Sequence, residues 1–155
     1  LTTDPTRHRL LLVHQGDQAT VTALSTTGKV LVTASLGFPK GDVAVTGSTI
    51  WVAGFGQEGA VLRTLDPETL RGSGNLQPAP QLGPGAVIAA SGQSSIWLRS
   101  GGQNSDVLWC RNVAGNAVDI WTAPGHIAPA PGVVFVADVQ QPLRAMRIIG
   151  DGCAI

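Results

Sequence analysis

Short apolar runs separated by Gly, Pro and polar residues recur along the whole chain. Residues 48–53, 94–99 and 131–136 are three such runs, and each follows a Gly-punctuated apolar stretch. Val, Ile, Thr and Trp dominate the runs, and Gly or Pro interrupts them before a helical face of three turns could form. The pattern therefore predicts β-strands throughout.

The spacing of the apolar positions predicts two kinds of strand. Residues 19–24 alternate between apolar and polar side chains, as expected for a strand with one buried face. Residues 43–45 and 50–53 are almost continuously apolar, which is typical of a strand buried on both faces. We therefore expect the second kind to lie between neighbouring sheets.

The strand pattern repeats with a period of about forty residues, which is the signature of β-propeller blades. Residues 9–13 align with residues 49–53, and the same offset carries residues 20–22 onto residues 60–62. We therefore expect a single all-β domain over residues 1–155. It is predicted to be a partial β-propeller of about three and a half four-stranded blades. The units are predicted at approximately 1–37, 38–81, 82–124 and 125–155, the last one ending after its third strand.

The predicted number of blades leaves the ring open, because closed propellers usually have about four to eight. An open end exposes an unpaired strand edge and an apolar face, which compact proteins avoid. Two alternatives remove this problem. Either two copies associate as a homodimer that completes one ring of about seven blades, or the chain is a fragment of a longer one.

Several segments resemble the repeat of YVTN-type (YncE-like) propellers, which combines an apolar strand with elements such as YVAN, VSVID and TGKVV. The corresponding residues here are 43–45, 50–53, 61–66 and 27–30, although Trp51 replaces the usual Tyr. Residues 23–31 also resemble the core of the quinoprotein repeat, with Val32 where that family has a docking Trp. Both resemblances imply a β-propeller. The second, like the lactone-hydrolysing propellers, implies an enzyme with charged residues around a central channel.

Charge and composition exclude some partners. Charged residues make up 13% of the chain and the net charge is zero, so the basic stripe of a nucleic-acid surface is missing. No apolar run approaches the ~20 residues of a membrane helix, so we expect no transmembrane segment. The composition favours an extracytoplasmic protein, whether secreted, periplasmic or on the cell surface.

The cysteines bear on the same question. Cys110 and Cys153 are candidates for a disulfide that ties the last unit to its neighbour, which would fit an oxidising compartment. The alternative is a pair of buried free thiols in a cytosolic protein.

Apparent motifs for cofactors and metals do not hold. Residues 54–59 match the dinucleotide fingerprint, but the following residues predict a strand and not the helix that the fingerprint requires. Residues 27–29 and 66–68 are better explained as turns. The histidines lack metal-ligand spacing and no nucleophile elbow is present. We therefore predict no catalytic residue, no metal and no cofactor.

The predicted fold limits where a ligand could bind, because two sets of propeller loops gather on one face around the channel. The candidate ligand-binding residues on that face are His14, Gln15, Asp17, Lys40, Phe55, Gln57, Arg99, Gln103, His126, Asp138 and Gln140. Trp51 and Trp97 occupy equivalent positions and are expected to pack between blades, whereas Trp109 and Trp121 are better candidates for an exposed contact.

These residues suit a polar small molecule or a protein loop and include no obvious reactive centre. We expect a non-enzymatic extracytoplasmic binding or sensing module, such as part of a larger receptor. The alternative is a propeller enzyme or a fragment of one, of the lactonase or quinoprotein type. An enzyme would require several titratable groups that converge at the channel mouth with shifted pKa values.

Overall fold

The computed structural model describes residues 1–56, 59–78, 87–91, 95–100, 105–112, 117–124, 126–130, 133–138 and 141–147. These residues form an all-β structure, and the prediction of this class is confirmed. The strands form four antiparallel sheets, and in each sheet they are arranged in sequence order. In the described part, the helical structure is limited to a 3₁₀ turn at Pro5–Arg7.

The four sheets are numbered along the chain. Sheet 1 contains β1 (Thr2–Asp4), β2 (Arg9–His14), β3 (Thr20–Ser25) and β4 (Val30–Ser35). Sheet 2 contains β5 (Lys40–Thr46), β6 (Thr49–Gly56), β7 (Gly59–Leu65) and β8 (Gly72–Pro78). Sheet 3 contains β9 (Val87–Ser91), β10 (Ser95–Ser100), β11 (Ser105–Asn112) and β12 (Ala117–Pro124). Sheet 4 contains β13 (His126–Ala130), β14 (Val133–Asp138) and β15 (Gln141–Arg147).

The turns that were predicted from Gly and Asp form as expected. Gly28, between β3 and β4, has a φ of +82° and its N–H donates to Ser25 O over 2.9 Å. Asp66, between β7 and β8, accepts hydrogen bonds at Oδ1 from the N–H groups of Glu68 and Thr69. Gly54 and Gly56 lie in strand β6 and Gly59 begins strand β7, so a strand stands where a dinucleotide site requires a helix.

Sheet 2 is buried on both faces, as its continuous apolar runs predict. Along β6, Ile50 and Val52 face sheet 1, while Trp51 and Ala53 face sheet 3. We call the sheet 1–sheet 2 contact the first core and the sheet 2–sheet 3 contact the second core. The first core contains Leu11, Ala19, Val21, Ala23, Leu36, Phe38, Val43, Val45, Ile50, Val52, Leu65 and Leu70. The second core contains Ala44, Trp51, Ala53, Ala60, Leu62, Ile88 and Ile96.

The first strands of consecutive sheets are neighbours. Strand β1 contacts β5, β5 contacts β9, and β9 contacts β13. Within each sheet the strands then follow one another in sequence order, starting from the first strand.

The hairpin registers correct the sequence alignment by one residue in two places. Leu11 in β2 is paired with Ala23 in β3, and Trp51 in β6 is paired with Thr64 in β7. Because Leu11 corresponds to Trp51, Ala23 corresponds to Thr64. The offset between β3 and β7 is therefore one residue larger than the offset between β2 and β6. The predicted alignment of residues 20–22 with residues 60–62 is therefore wrong. A one-residue slip would exchange the two faces of a strand, and the true register matches buried Val21 to buried Leu62.

The second correction concerns β14, because aligning the runs at residues 48–53 and 131–136 from their first residues would match Val133 to Ile50. Ala130 is paired with Val133 across the connection, as Thr46 is paired with Thr49. Val133 therefore corresponds to Thr49, and Phe135 corresponds to Trp51.

Candidate functional site

The candidate residues share one end of their sheets. We call it the loop end, defined as the end at which the second strand of each sheet stops and the third begins. The opposite end is called the turn end. The described candidates at the loop end are His14 and Asp17 in sheet 1, Lys40 and Phe55 in sheet 2, Arg99 in sheet 3, and His126 and Asp138 in sheet 4. Gln57, Gln103 and Gln140 lie outside the described residues.

The structure brings some of these residues together. Lys40 and Phe55 are direct cross-strand partners in sheet 2, and Phe55 packs partly against the second core. His14 ends β2 opposite Thr20, and Asp17 lies in the connection that follows. In the described part of the chain, no hydrogen bond joins these candidates to one another across two sheets.

Polar side chains at the loop end of sheets 1 and 2 are open to solvent. His14, Asp17 and Lys40 are all exposed. Among the residues that the structure describes, none of the three forms a side-chain hydrogen bond or an ion pair. Their full hydrogen-bonding capacity is therefore available to a ligand.

Gln15, one of the predicted ligand-binding residues, joins two sheets. Its Oε1 accepts a hydrogen bond from the Gly41 N–H over 3.1 Å, and its Nε2 donates to the Gly41 carbonyl. The side-chain amide thus binds β5 as a neighbouring strand would. This contact joins the loop of sheet 1 to the first strand of sheet 2.

A backbone contact and an aromatic ring hold the same end together. The Ala19 N–H donates to the Phe38 carbonyl over 2.7 Å, and the Leu36 N–H donates to the Ala19 carbonyl over 2.9 Å. The Phe38 ring lies directly over Gly54, where a Cβ atom would stand 2.2 Å from Cδ2 of the ring. The connections that carry the exposed charges are therefore fixed to both sheets.

Asp42 links sheet 2 to sheet 3. Its Oδ1 accepts from the Val43 N–H over 2.9 Å, and its Oδ2 accepts from the Ile88 N–H over 3.2 Å. Burial raises the pKa of this carboxyl, and the bonds from Ile88 and Val43 oppose the rise. Asp42 follows Lys40 by two residues in β5, so a partly buried acid lies close behind the exposed loop end.

At the turn end, four charged groups form ion pairs, while Lys29 and Arg71 are exposed there without an ion pair to any described residue. Arg9 Nε lies 2.9 Å from Oδ2 of Asp4, both side chains being buried, and the Arg9 guanidinium also donates to the Pro67 carbonyl. Arg7 donates from Nε to Glu68 Oε1 over 3.2 Å. These contacts cross from sheet 1 to the β7–β8 turn of sheet 2. Sequence reasoning missed the contacts with Pro67 and Glu68 because these partners are 58 and 61 residues away along the chain.

Tests for other kinds of site give negative findings. No group of three or more His, Cys, Asp or Glu side chains that could hold a metal ion occurs among the described residues. In the same residues, no helix has the length and apolar character needed to cross a membrane. The predicted Cys110–Cys153 pair cannot be placed, because Cys153 lies outside the described residues.

No protein-family model matches the chain, and a search of curated proteins finds no significant match. Its function must therefore be argued from the arrangement of its own residues.

Proposed function

We propose that the chain is a non-enzymatic extracytoplasmic binding or sensing module that takes a protein or polar small-molecule ligand at its loop end. The observation that carries the proposal is that charged side chains join sheets 1 and 2 at the turn end, whereas neutral groups join them at the loop end. Charged side chains at the loop end of sheets 1 and 2 have no partner in the described part of the chain. Those at the turn end include Asp4, Arg7, Arg9 and Glu68, which are joined in ion pairs.

In this proposal the four sheets are blades of a partial β-propeller of the YVTN (YncE-like) type. The side-by-side first strands support this arrangement, as does the burial of sheet 2 between its two neighbours. With blades arranged around a common axis, the loop ends of all four sheets face the same side. Arg99, His126 and Asp138 then join His14 and Lys40 around one opening.

The loop end of sheets 1 and 2 is suited to binding because it is held rigidly. Gln15 fixes one loop to Gly41, and the backbone bonds of Ala19 fix it to the next connection. Because the backbone beneath the exposed side chains is already fixed, binding a ligand there costs less conformational entropy than binding it on a flexible loop. A polar ligand that pairs with Lys40 or Asp17 would form charge-assisted hydrogen bonds there.

The experiment is a thermal-shift screen of sugars, peptides and divalent ions, followed by affinity measurements on two lysine variants. Lys40→Ala should weaken binding of the selected ligand about tenfold, since a hydrogen bond to a charged group is lost. Lys29→Ala is the matched control, because Lys29 is also exposed but lies at the turn end of sheet 1. An equal loss in both variants, or in neither, contradicts a loop-end site.

A second candidate function is a propeller enzyme of the lactonase or quinoprotein type, and Asp42 is the observation in its favour. A partly buried carboxyl whose pKa is raised is a common feature of catalytic acids and bases. A large thermal shift with calcium or a quinone alone would favour the enzyme. Loss of turnover in Asp42→Asn, with Lys40→Ala still active, would then identify the acid.

The proposed location outside the cytoplasm depends on the cysteines. If Cys110 and Cys153 form a disulfide, thiol titration of the unfolded, unreduced protein should find no free thiol. Two reactive thiols in protein prepared without reductant would contradict the disulfide and remove its support for this location.

A further inference from the structure

Sheet 1 presents an apolar face that no other sheet covers in the described part of the chain. Because Leu11 points into the first core, its neighbours Leu10 and Leu12 in β2 lie on the opposite face. Leu10 is paired with Leu24 and Leu24 with Val30, so an apolar row crosses the sheet. Leu12 is 43% exposed and Val30 58% exposed.

The same positions are buried in sheet 2. Leu10 and Leu12 correspond to Ile50 and Val52, which are fully buried against sheet 1 in the first core. The outer face of sheet 1 therefore corresponds to the face of sheet 2 that is buried against sheet 1. Its polar groups do not oppose burial, because Thr22 and Thr33 on this face bond to each other over 3.0 Å.

Sheet 4 presents the complementary kind of surface. Phe135 corresponds to Trp51, which is buried against sheet 3, yet Phe135 is 37% exposed. Trp51 is paired with Ala44 and followed two residues later by Ala53. Phe135 is likewise paired with Ala128 and followed two residues later by Ala137. An aromatic side chain among alanines therefore recurs at an exposed position.

We propose that a second copy of this chain covers both faces head to tail, with sheet 4 of each copy packed on sheet 1 of the other. The inference rests on the blade arrangement of the proposed function and names the partner that completes it. The described residues of each copy supply four sheets, so two copies supply eight, at the upper end of the usual range of about four to eight. Zero net charge adds no long-range repulsion between the copies.

Three glutamate variants test the pairing by light scattering and sedimentation across a range of concentrations. The unaltered chain should have the mass of two copies. Leu12→Glu and Phe135→Glu should each raise the dissociation constant at least about 100-fold, because each places a charge in one of the apolar contacts. Leu76→Glu is the matched control, since Leu76 is 52% exposed on β8, away from both faces, and should leave the pair intact.

Mixing distinguishes a head-to-tail contact from self-pairing of one face. Leu12→Glu keeps an intact sheet 4 and Phe135→Glu keeps an intact sheet 1, so a mixture should form pairs that neither variant forms alone. Pairing that survives Phe135→Glu but not Leu12→Glu would show that sheet 1 packs on itself, which overturns the proposal. A single-copy mass, or a series of masses that grows with concentration, also overturns the closed pair.

Folding and function are separated by two further measurements. Each variant must retain the β-sheet circular dichroism of the unaltered chain, and Leu12→Ala with Phe135→Ala replaces any glutamate variant that does not fold. The alanine variants should raise the dissociation constant about tenfold. Mass is measured without ligand, so a single copy that still binds ligand through Lys40 overturns only the pair. A stable pair with no ligand at the loop end contradicts only the proposed site.

Discussion

The two ends of sheets 1 and 2 hold the sheets together by different chemistry. At the turn end, buried Asp4 and Arg9 form an ion pair that also binds the Pro67 carbonyl of the next sheet. At the loop end, neutral groups join the two sheets instead. The Gln15 amide binds Gly41 there, and the Phe38 ring packs over Gly54.

This difference explains where charge remains available. A charge that is buried with its partner, as Arg9 is with Asp4, cannot also bind a ligand. Because amide and aromatic contacts join the loop end, His14, Asp17 and Lys40 are left exposed there. The loop end of sheets 1 and 2 is thus held together without using the charges of Asp17 and Lys40.

The largest expected effect on the free energy of unfolding comes from a substitution at the turn end. Arg9→Met leaves the Asp4 carboxylate buried without its closest cation, which should lower the free energy of unfolding by about 3–5 kcal/mol. Arg71→Met is the control, because Arg71 is exposed at the same end and should change the value by less than about 0.5 kcal/mol. Urea unfolding measures both, and similar losses in the two variants would show that the buried pair has no special role.

A smaller effect is expected from the loop end. Gly54→Ala places a Cβ against the Phe38 ring, and displacement of the buried ring should cost about 1–3 kcal/mol. Gly16→Ala is the control at the same end, because its Cβ would stand at an ordinary contact distance of 3.7 Å from the Gln18 carbonyl oxygen. The pair Gly54→Ala and Phe38→Leu should be non-additive, with part of the loss restored. Additive losses in urea unfolding would contradict direct packing of the ring on Gly54.

The smallest effect is a difference in pH dependence between Asp42 and Asp66. Burial raises the pKa of Asp42, so the folded state binds its proton more tightly than the unfolded state does. The contribution of Asp42 to the free energy of unfolding therefore falls as pH rises from the ordinary value of 3.8 through the raised pKa.

Asp66 is expected to behave in the opposite way. Hydrogen bonds from the Thr69 N–H and hydroxyl lower its pKa, so its contribution is present above 3.8 and is lost as pH falls through the lowered value. Unfolding measured from acidic to neutral pH on Asp42→Asn and Asp66→Asn tests both signs. Relative to the unaltered chain, Asp42→Asn should lose a contribution to the free energy of unfolding that falls as pH rises. Asp66→Asn should lose a contribution that rises with pH. If the pH dependence of the free energy of unfolding changed in the same direction in both variants, the opposite pKa shifts of Asp42 and Asp66 would be contradicted.

Much of the fold follows from the local pattern of apolar residues. The continuous run at residues 50–53 predicts burial on both faces, and Trp51 and Val52 are indeed buried against different sheets. Turns at Gly28 and Asp66 follow from residue type alone. These features depend on neighbours within a few positions, which is why the sequence reveals them.

The contacts between sheets do not follow from the sequence. Arg9 binds Pro67, 58 residues away, and its choice of partner depends on how two separate sheets are placed. Gln15 has a polar side chain of a kind that can bind ligands, yet its amide binds Gly41, 26 residues away. The alignment at Val21 also fails by one residue, because insertions in connections are invisible until the strands are paired.

Leu11 and Trp51 both face the following sheet, and Ile50 faces the preceding one. This constant orientation has an evolutionary consequence. A unit copied in tandem arrives with both surfaces already fitted to its new neighbours. If the sheets are units of the proposed repeat, a whole sheet can be added or removed without a new kind of contact, and each sheet is constrained only by the two beside it.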